Sequence, residues 1–208
     1  MALVYGEAET GKTTLAIQCA VNCARMGYKT IFVDCDGTFF GARMEHVAGN
    51  DFGDLGPRII LMKPEDFEQQ TFIIDRLGDY ISKTTGLIVV DTITGLYREK
   101  FGDGAEKAFT LNRELNRQMA SLAEITKTRK VVSLITSQVR SVFHGQQNEL
   151  VQPVATRVLK FWADTVISLR PTARATVIRA TVERNKDKKP TKPVFLKIQK
   201  NGLHNGKR

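Results

Sequence analysis

The segment Gly6–Thr13 constrains the fold of this chain most strongly, because its sequence GEAETGKT matches the phosphate-binding pattern GxxxxGK[ST] in full. An apolar segment precedes it and a helix is predicted to begin directly after it, which is the context that the pattern requires. Glycines let backbone N–H groups face phosphates, and the helix N-terminus adds favourable dipole charge. The pattern therefore predicts a strand–loop–helix unit that binds a nucleoside triphosphate.

Two side chains of this loop have expected roles of their own. Lys12 is expected to reach the β- and γ-phosphates, and Thr13 to offer its hydroxyl to Mg²⁺. We expect the lysine to be accessible to solvent when no nucleotide is bound. The predicted ligands are ATP and Mg²⁺, and the residues predicted to line the nucleotide are Gly6, Glu7, Ala8, Glu9, Thr10, Gly11, Lys12, Thr13 and Thr14.

A second part of such a site is predicted downstream. The apolar segment Leu87–Asp91 has the form of a strand that ends in a carboxylate. In P-loop proteins an aspartate at this place holds Mg²⁺, usually through water. Many buried strands end in Asp, so the segment becomes informative only together with the upstream loop. Asp91 is therefore predicted to be a metal-binding residue.

The remaining pattern alternates short apolar segments with longer helical ones. Nearly continuous β-branched segments are typical of strands buried on both faces of a parallel sheet, and are predicted at Ala2–Tyr5, Thr30–Asp34, Arg58–Met62, Leu87–Asp91 and Val131–Thr136. Helices are predicted at Thr13–Met26, Asp66–Lys83, Glu106–Lys127 and Val158–Phe161. Three later strands, at Thr165–Leu169, Thr176–Glu183 and Val194–Gln199, indicate an antiparallel extension. The prediction is one α/β domain spanning residues 1–208, with a mostly parallel sheet and flanking helices.

Charge is distributed unevenly along the chain. The net charge is +9, and residues 170–208 contain 12 Lys/Arg against 2 Asp/Glu. This asymmetry suggests a polyanionic partner, with nucleic acid the first candidate, although a solvated basic face is the alternative. No apolar run approaches the ~20 residues of a membrane span. We therefore expect no membrane partner. Three cysteines without a CxxC pair indicate reduced thiols in a cytoplasmic protein.

Several segments carry a resemblance to a known family. The first is the phosphate loop. The others are VDCDGTF at Val33–Phe39, the segment Gly86–Tyr97, ITSQV at Ile135–Val139 and RVLKFWA at Arg157–Ala163. With them the chain resembles the RecA/RadA recombinase family over nearly its whole length, and within it most of all the archaeal RadB paralogues. The resemblance implies a RecA-like fold.

The resemblance also implies roles for single residues. Asp36 stands where the family has the catalytic glutamate that activates water, although it could simply cap a turn. Arg43 falls where a family arginine stacks on adenine, although it could be a solvated helix residue. Gln138 matches the glutamine that senses the γ-phosphate, although it could only bind a loop backbone. Arg184 and Lys186 lie near where RecA-type proteins present basic residues to a neighbour's nucleotide.

Two long polar loops correspond in the family to the DNA-binding loops. They are predicted at Tyr97–Lys107 and Val139–Pro153, and loops of this length in a compact domain are usually functional or disordered. Phe161 and Trp162 are predicted to be core residues, with base stacking as the alternative.

The resemblance implies an accessory protein of homologous recombination. It is expected to bind single-stranded DNA and a RadA-type recombinase, to hydrolyse ATP weakly in a DNA-dependent way, and to be able to form a homo-oligomer. The family's recombinases carry further residues before the phosphate loop, so the chain alone is not expected to form long filaments. The rival interpretations are a KaiC-like regulatory ATPase that acts on protein partners without DNA, and a stand-alone ATPase motor fragment.

Overall fold

The computed structural model describes residues 1–39, 41–100, 105–142, 150–153, 155–186 and 191–206. Within these ranges the strands are β1 (Ala2–Gly6), β2 (Lys29–Asp34), β3 (Ile59–Met62), β4 (Thr85–Asp91), β5 (Val132–Val142), β6 (Leu150–Pro153), β7 (Thr165–Pro171), β8 (Val177–Asn185), β9 (Val194–Gln199) and β10 (Gly202–Asn205). The α-helices are α1 (Lys12–Arg25), α2 (Gly41–Ala48), α3 (Phe52–Leu55), α4 (Phe67–Tyr80), α5 (Gly95–Glu99), α6 (Ala105–Thr128) and α7 (Thr156–Trp162).

The described strands form one sheet in the order β10-β9-β8-β7-β1-β5-β4-β2-β3, with β6 paired to β5. From β3 to β7 all neighbours along this order are parallel. From β7 to β10 they are antiparallel. The predicted fold class, a mostly parallel α/β sheet with an antiparallel extension at its C-terminal end, is therefore confirmed.

Both faces of the parallel part are covered. On one face, β-strand side chains pack with α4, α6 and α7, as Ile31, Ile88, Ile74 and Leu122 illustrate. On the other face, strand side chains such as Phe32 pack with α1 and α2. Burial on both faces explains why these strands read as continuous apolar runs. None of the helices in the described ranges is long and apolar enough to cross a membrane.

Some elements differ from the sequence prediction. Strand β5 continues to Val142 and pairs antiparallel with β6, so both ends of the predicted loop Val139–Pro153 are strand. Helix α5 occupies the start of the predicted loop Tyr97–Lys107. The parts of these two loops at residues 143–149 and 101–104 lie outside the described residues. The short elements β10 and α2 were missed because each begins with glycine and neither is long enough to show a clear period.

The C-terminal strands support the phosphate-loop helix. Gln18 on α1 accepts a hydrogen bond from the Leu203 backbone N at 2.8 Å and donates one to the Leu203 carbonyl oxygen at 3.2 Å. A Cβ atom added at Gly11 would lie 3.2 Å from the Leu203 side chain. The hairpin of β9 and β10 therefore packs directly against the helix that begins at the phosphate loop.

Candidate nucleotide-binding site

The predicted site residues meet at the carboxyl ends of four neighbouring strands. Gly6 at the end of β1 is in register with Gln138 on β5, and Asp34 at the end of β2 is in register with Asp91 at the end of β4. Open α/β sheets bind their ligands at this edge. The parallel order thus brings together residues that are far apart in the chain.

The phosphate loop is closed on itself by bonds to one carbonyl group. The Glu7 carbonyl oxygen accepts hydrogen bonds from Thr10 Oγ1 at 2.8 Å and from Lys12 Nζ at 2.7 Å. Gly11 has φ of 81°, in the left-handed region that glycine adopts at little cost. Glu7, Ala8 and Glu9 are exposed, whereas Thr10, Lys12 and Thr14 are buried.

The expectation of a solvent-accessible lysine is wrong. Lys12 is 7% exposed, because its ammonium folds back onto the loop. Burial lowers its pKa, and the nearby carboxylates of Asp91, Asp36 and Glu7 act in the opposite direction. The side chain therefore lies where phosphate oxygens could replace the Glu7 carbonyl as its partner.

Asp91 is the most deeply buried acid of the site. It has no exposed surface, and its Oδ1 accepts a hydrogen bond from the Thr136 hydroxyl. Its Oδ2 finds no hydrogen-bond partner among the described residues. Burial raises the pKa of Asp91, and the nearby charge of Asp36 raises it further. The hydroxyls of Thr136 and the nearby Thr13 act in the opposite direction and lower this pKa. An unsatisfied carboxylate oxygen beside a threonine hydroxyl fits the oxygen donors that Mg²⁺ takes.

The turn after β2 is held by Asp34 rather than Asp36. The Asp34 carboxylate accepts hydrogen bonds from the backbone N atoms of Thr38 and Phe39, both at 3.0 Å. Phe39 packs edge-on against Phe32, with ring centroids 4.8 Å apart. Since Asp34 caps this turn, the capping alternative for Asp36 has no support in the structure.

Asp36 instead joins the residue that follows β4 to β5. Its Oδ1 accepts a hydrogen bond from Thr92 Oγ1 at 2.8 Å, and its Oδ2 accepts one from Gln138 Nε2 at 3.3 Å. The predicted water-activating residue and the predicted phosphate sensor thus contact each other across 102 residues of sequence. They line a cavity of about 450 Å³ together with Thr38, Gly95, Arg98 and Glu99.

Arg98 is a site residue that sequence reasoning missed. It lies on α5 and donates a hydrogen bond to Gln138 Oε1. The residue before it, Tyr97, ends a segment that resembles the family and begins a predicted loop. Only the helical turn of α5 aims the guanidinium at Gln138, and that turn could not be predicted from so short a segment.

Other predicted residues lie elsewhere. Arg43 is half-buried on α2, and its proposed contact with adenine stays a prediction. Arg184 donates hydrogen bonds to the Lys160 and Ala163 carbonyl oxygens at the end of α7. Lys186 Nζ is 3.8 Å from Asp164 Oδ1, at the sheet edge opposite the phosphate loop. A role of these two cations toward a neighbouring chain stays a prediction.

The two aromatic residues at the end of α7 differ in their exposure to solvent. Phe161 is 74% exposed, so the prediction that it is a core residue is wrong. Trp162 is partly buried and packs against the core, and its Nε1 donates a hydrogen bond to Asn116 Oδ1 at 2.9 Å. Adjacent residues of a helix point in different directions, so α7 packs Trp162 against the core and leaves Phe161 exposed.

Comparisons with known proteins agree with the geometry. A family model described as Rad51 matches residues 1–205. A DNA repair and recombination protein RadB from Methanosphaera stadtmanae is 29% identical over 201 residues, covering 96% of this chain and 84% of that protein. A protein of the same name from Methanothermobacter thermautotrophicus is 31% identical over 182 residues, or 84% of this chain and 76% of that protein.

A solved structure is also similar. The crystal structure of the RadB recombinase superimposes with a TM-score of 0.82 at 25% sequence identity, and the match covers 99% of this chain and 90% of that one. The resemblance to the RecA/RadA family and to its RadB branch is therefore confirmed.

Gly95 is expected to tolerate no side chain, because a Cβ atom there would overlap Asp36 Oδ1. The substitution Gly95→Ala should displace the carboxylate by roughly 1 Å, and misplacement of that size can lower a catalysed rate about 10²-fold. We expect residual ATP hydrolysis to fall while ATP affinity is kept, as measured by single-turnover assays and calorimetry. The control is Gly41→Ala, where an added Cβ meets nothing within 4 Å. Equal hydrolysis rates in the two variants would contradict the prediction.

Proposed function

We propose that this chain, which belongs to the Rad51 family, is an ATP-binding and DNA-binding accessory protein of homologous recombination with weak ATPase activity. The observation that carries the proposal is the meeting of Lys12, Asp91, Asp36 and Gln138 at one sheet edge, at the base of the hairpin formed by β5 and β6. One arrangement thus connects a triphosphate site with a segment that the resemblance assigns to DNA.

Nucleotide binding is proposed to use the phosphate loop as follows. The backbone of Gly6–Thr13 and the N-terminus of α1 would surround the phosphates. Lys12 Nζ already lies at the loop, where it donates to the Glu7 carbonyl oxygen. It would exchange this partner for phosphate oxygens. Thr13 and Asp91 would hold Mg²⁺, which when bound supplies positive charge opposite the phosphates.

Hydrolysis is proposed to be slow, and Asp36 is one reason. A general base must come within about 2.6–3.2 Å of the water that it activates. Aspartate is one methylene shorter than the family's glutamate, which is a deficit of ~1 Å, and a misplacement of that size can cost about 10²-fold in rate. The carboxylate is in addition held back by its bonds to Thr92 and Gln138. ATP would therefore act more as a switch ligand than as fuel.

DNA binding is supported by charge and position. Residues 170–208 carry 12 Lys/Arg and 2 Asp/Glu, and polyanions are attracted by such an excess. Gln138 directly precedes the part of β5 that pairs with β6, so nucleotide and DNA would meet at one strand. The relatives are named DNA repair and recombination proteins, and a RadA-type recombinase is the partner that we propose for the accessory role.

The central test is binding to a fluorescein-labelled oligothymidylate with and without ATP and Mg²⁺. We expect the parent chain to bind more tightly with ATP. The variant Lys12→Met keeps the apolar stem and loses the charge–phosphate contacts, so ATP affinity should fall about 10–150-fold and the ATP effect on DNA should disappear. Lys83→Met, at an exposed lysine, is the control. Normal ATP affinity in folded Lys12→Met would refute the nucleotide site, and a parent chain that binds no DNA would refute the DNA function.

The role of Asp36 is tested by a pair of variants, each assayed alone and with DNA. Asp36→Asn removes the base and should lower the residual rate about 10²–10⁴-fold without loss of ATP binding. Asp36→Glu restores the longer side chain of the family and should preserve or raise the rate. If Asp36→Asn hydrolyses ATP as fast as the parent, another group such as Glu7 or Glu9 must activate the water.

A further inference from the structure

An arginine-rich cleft lies beyond β7, at the same sheet edge as the phosphate loop. Gly6 is in register with Leu169, and the cleft begins at the next residue of β7. It has a volume of about 430 Å³, and the side chains that matter in it are Arg170, Thr172, Arg174, Val177, Arg179 and Phe195. We call this site the arginine cleft. No role predicted from the phosphate loop or from the two long loops uses it.

The cationic groups of the cleft oppose each other. Arg170 on β7 is directly across from Arg179 on β8, and like charges in this relation are destabilising. Among the described residues none forms a salt bridge with Arg170, Arg174 or Arg179. Such an arrangement is stabilised when an anion from outside binds between the guanidinium groups.

Acidic residues of the C-terminal strands do not supply that anion. Within the described part of residues 165–206 the only Asp or Glu is Glu183. Its carboxylate accepts hydrogen bonds from the Tyr5 hydroxyl and, at 3.0 Å, from Lys160 Nζ. Burial raises the pKa of Glu183, but these bonds lower it by more, so it is ionised and already paired.

The cleft is held in shape and has an apolar side. Thr172 Oγ1 donates to the carbonyl oxygens of Val177 at 2.7 Å and Arg174 at 3.2 Å, which fixes the turn between β7 and β8. Phe195 on β9 is opposite Arg179 and partly buried. An aromatic ring among arginines suits a nucleotide strand, because bases stack on rings while guanidinium groups bind phosphates.

We propose that the arginine cleft binds the phosphate backbone of a single DNA strand, with Phe195 against a base. This inference rests on the proposed DNA-binding function and assigns part of it to a surface outside the two long loops. β7 is separated from β5 only by β1, a lateral distance of about 10 Å at the usual strand spacing. A strand bound along this edge would pass from the hairpin of β5 and β6 to the arginine cleft.

The test compares two triple variants that remove the same amount of charge. The first replaces Arg170, Arg174 and Arg179 by Gln. The control replaces Lys29, Lys83 and Arg129 by Gln, which are exposed at the opposite sheet edge. Binding to fluorescein-labelled oligothymidylate is measured over a range of salt concentrations. For the cleft variant we expect an affinity for DNA that is reduced by a factor of about ten or more at low salt. The log–log salt slope should decrease by about 2, since each of three phosphate contacts contributes about 0.7.

The control separates the outcomes. An equal loss of DNA affinity in both triple variants would contradict the assignment of DNA binding to the arginine cleft, while the proposal that the chain binds DNA would still hold. A parent chain without DNA affinity would overturn the proposed function itself. ATP affinity should be unchanged in both variants, which shows that they are folded. If the cleft variant does not fold, the single variant Arg174→Gln in the exposed turn replaces it. The salt slope of this variant should decrease by about 0.7. An unchanged slope would contradict the proposal.

Two further measurements identify the ligand. Phe195→Leu keeps the apolar contact but removes the ring, and it should weaken oligothymidylate binding about fivefold or more without a change in salt slope; unchanged affinity would overturn the stacking contact. Arginine Nε resonances of the cleft should shift with oligothymidylate at concentrations where inorganic tripolyphosphate has no effect. Equal shifts at equal concentrations would show a site for small anions and overturn the assignment to a DNA strand.

Discussion

The burial of one carboxylate determines much of the arrangement at the centre of this protein. Asp91 is fully buried with one oxygen unsatisfied, and an isolated buried charge is costly. Burial raises its pKa, so this group contributes stability below its ordinary pKa that is lost as the pH rises through the raised value. Lys12 is also buried and has a lowered pKa. The Asp91 carboxylate opposes that lowering of the Lys12 pKa, and a divalent cation at Asp91 would relieve the cost of burying the carboxylate.

Close backbone approach at two glycines makes this concentration of polar groups possible. A Cβ atom at Gly6 would overlap the Leu169 carbonyl oxygen, and one at Gly95 would overlap the Asp36 carboxylate. The first contact ties the phosphate loop to β7, and through it to the antiparallel strands. The second lets the turn after β2 reach the start of α5. Both glycines therefore act by allowing neighbouring elements to approach, which any side chain would prevent.

Local patterns and non-local packing explain what could be predicted from the sequence. The phosphate loop, the strand ending at Asp91 and the mostly parallel character of the sheet follow from periodicity and motif spacing, which are local. The roles of Asp36 and Gln138 were predicted only through a family resemblance, and their contact was not predicted, because 102 residues separate them. The inward fold of Lys12, the bond from Arg98 and the pairing of β10 depend on groups brought together by the complete sheet. A linear pattern carries no signal for them.

The chain of hydrogen bonds from Thr92 through Asp36 and Gln138 to Arg98 supplies a physical connection between the two proposed ligands. It includes Gln138 on the strand that enters the hairpin of β5 and β6 and Arg98 on α5, so both segments that the resemblance assigns to DNA are attached to it. A γ-phosphate that rotates the Gln138 amide toward itself would break the bond from Arg98 to the amide oxygen, and this change would release α5 from β5. Because coupling of binding free energies is reciprocal, DNA that favours the released arrangement would tighten ATP by the same factor. The slow hydrolysis that we propose would preserve that coupled state, which is the property that a switch requires.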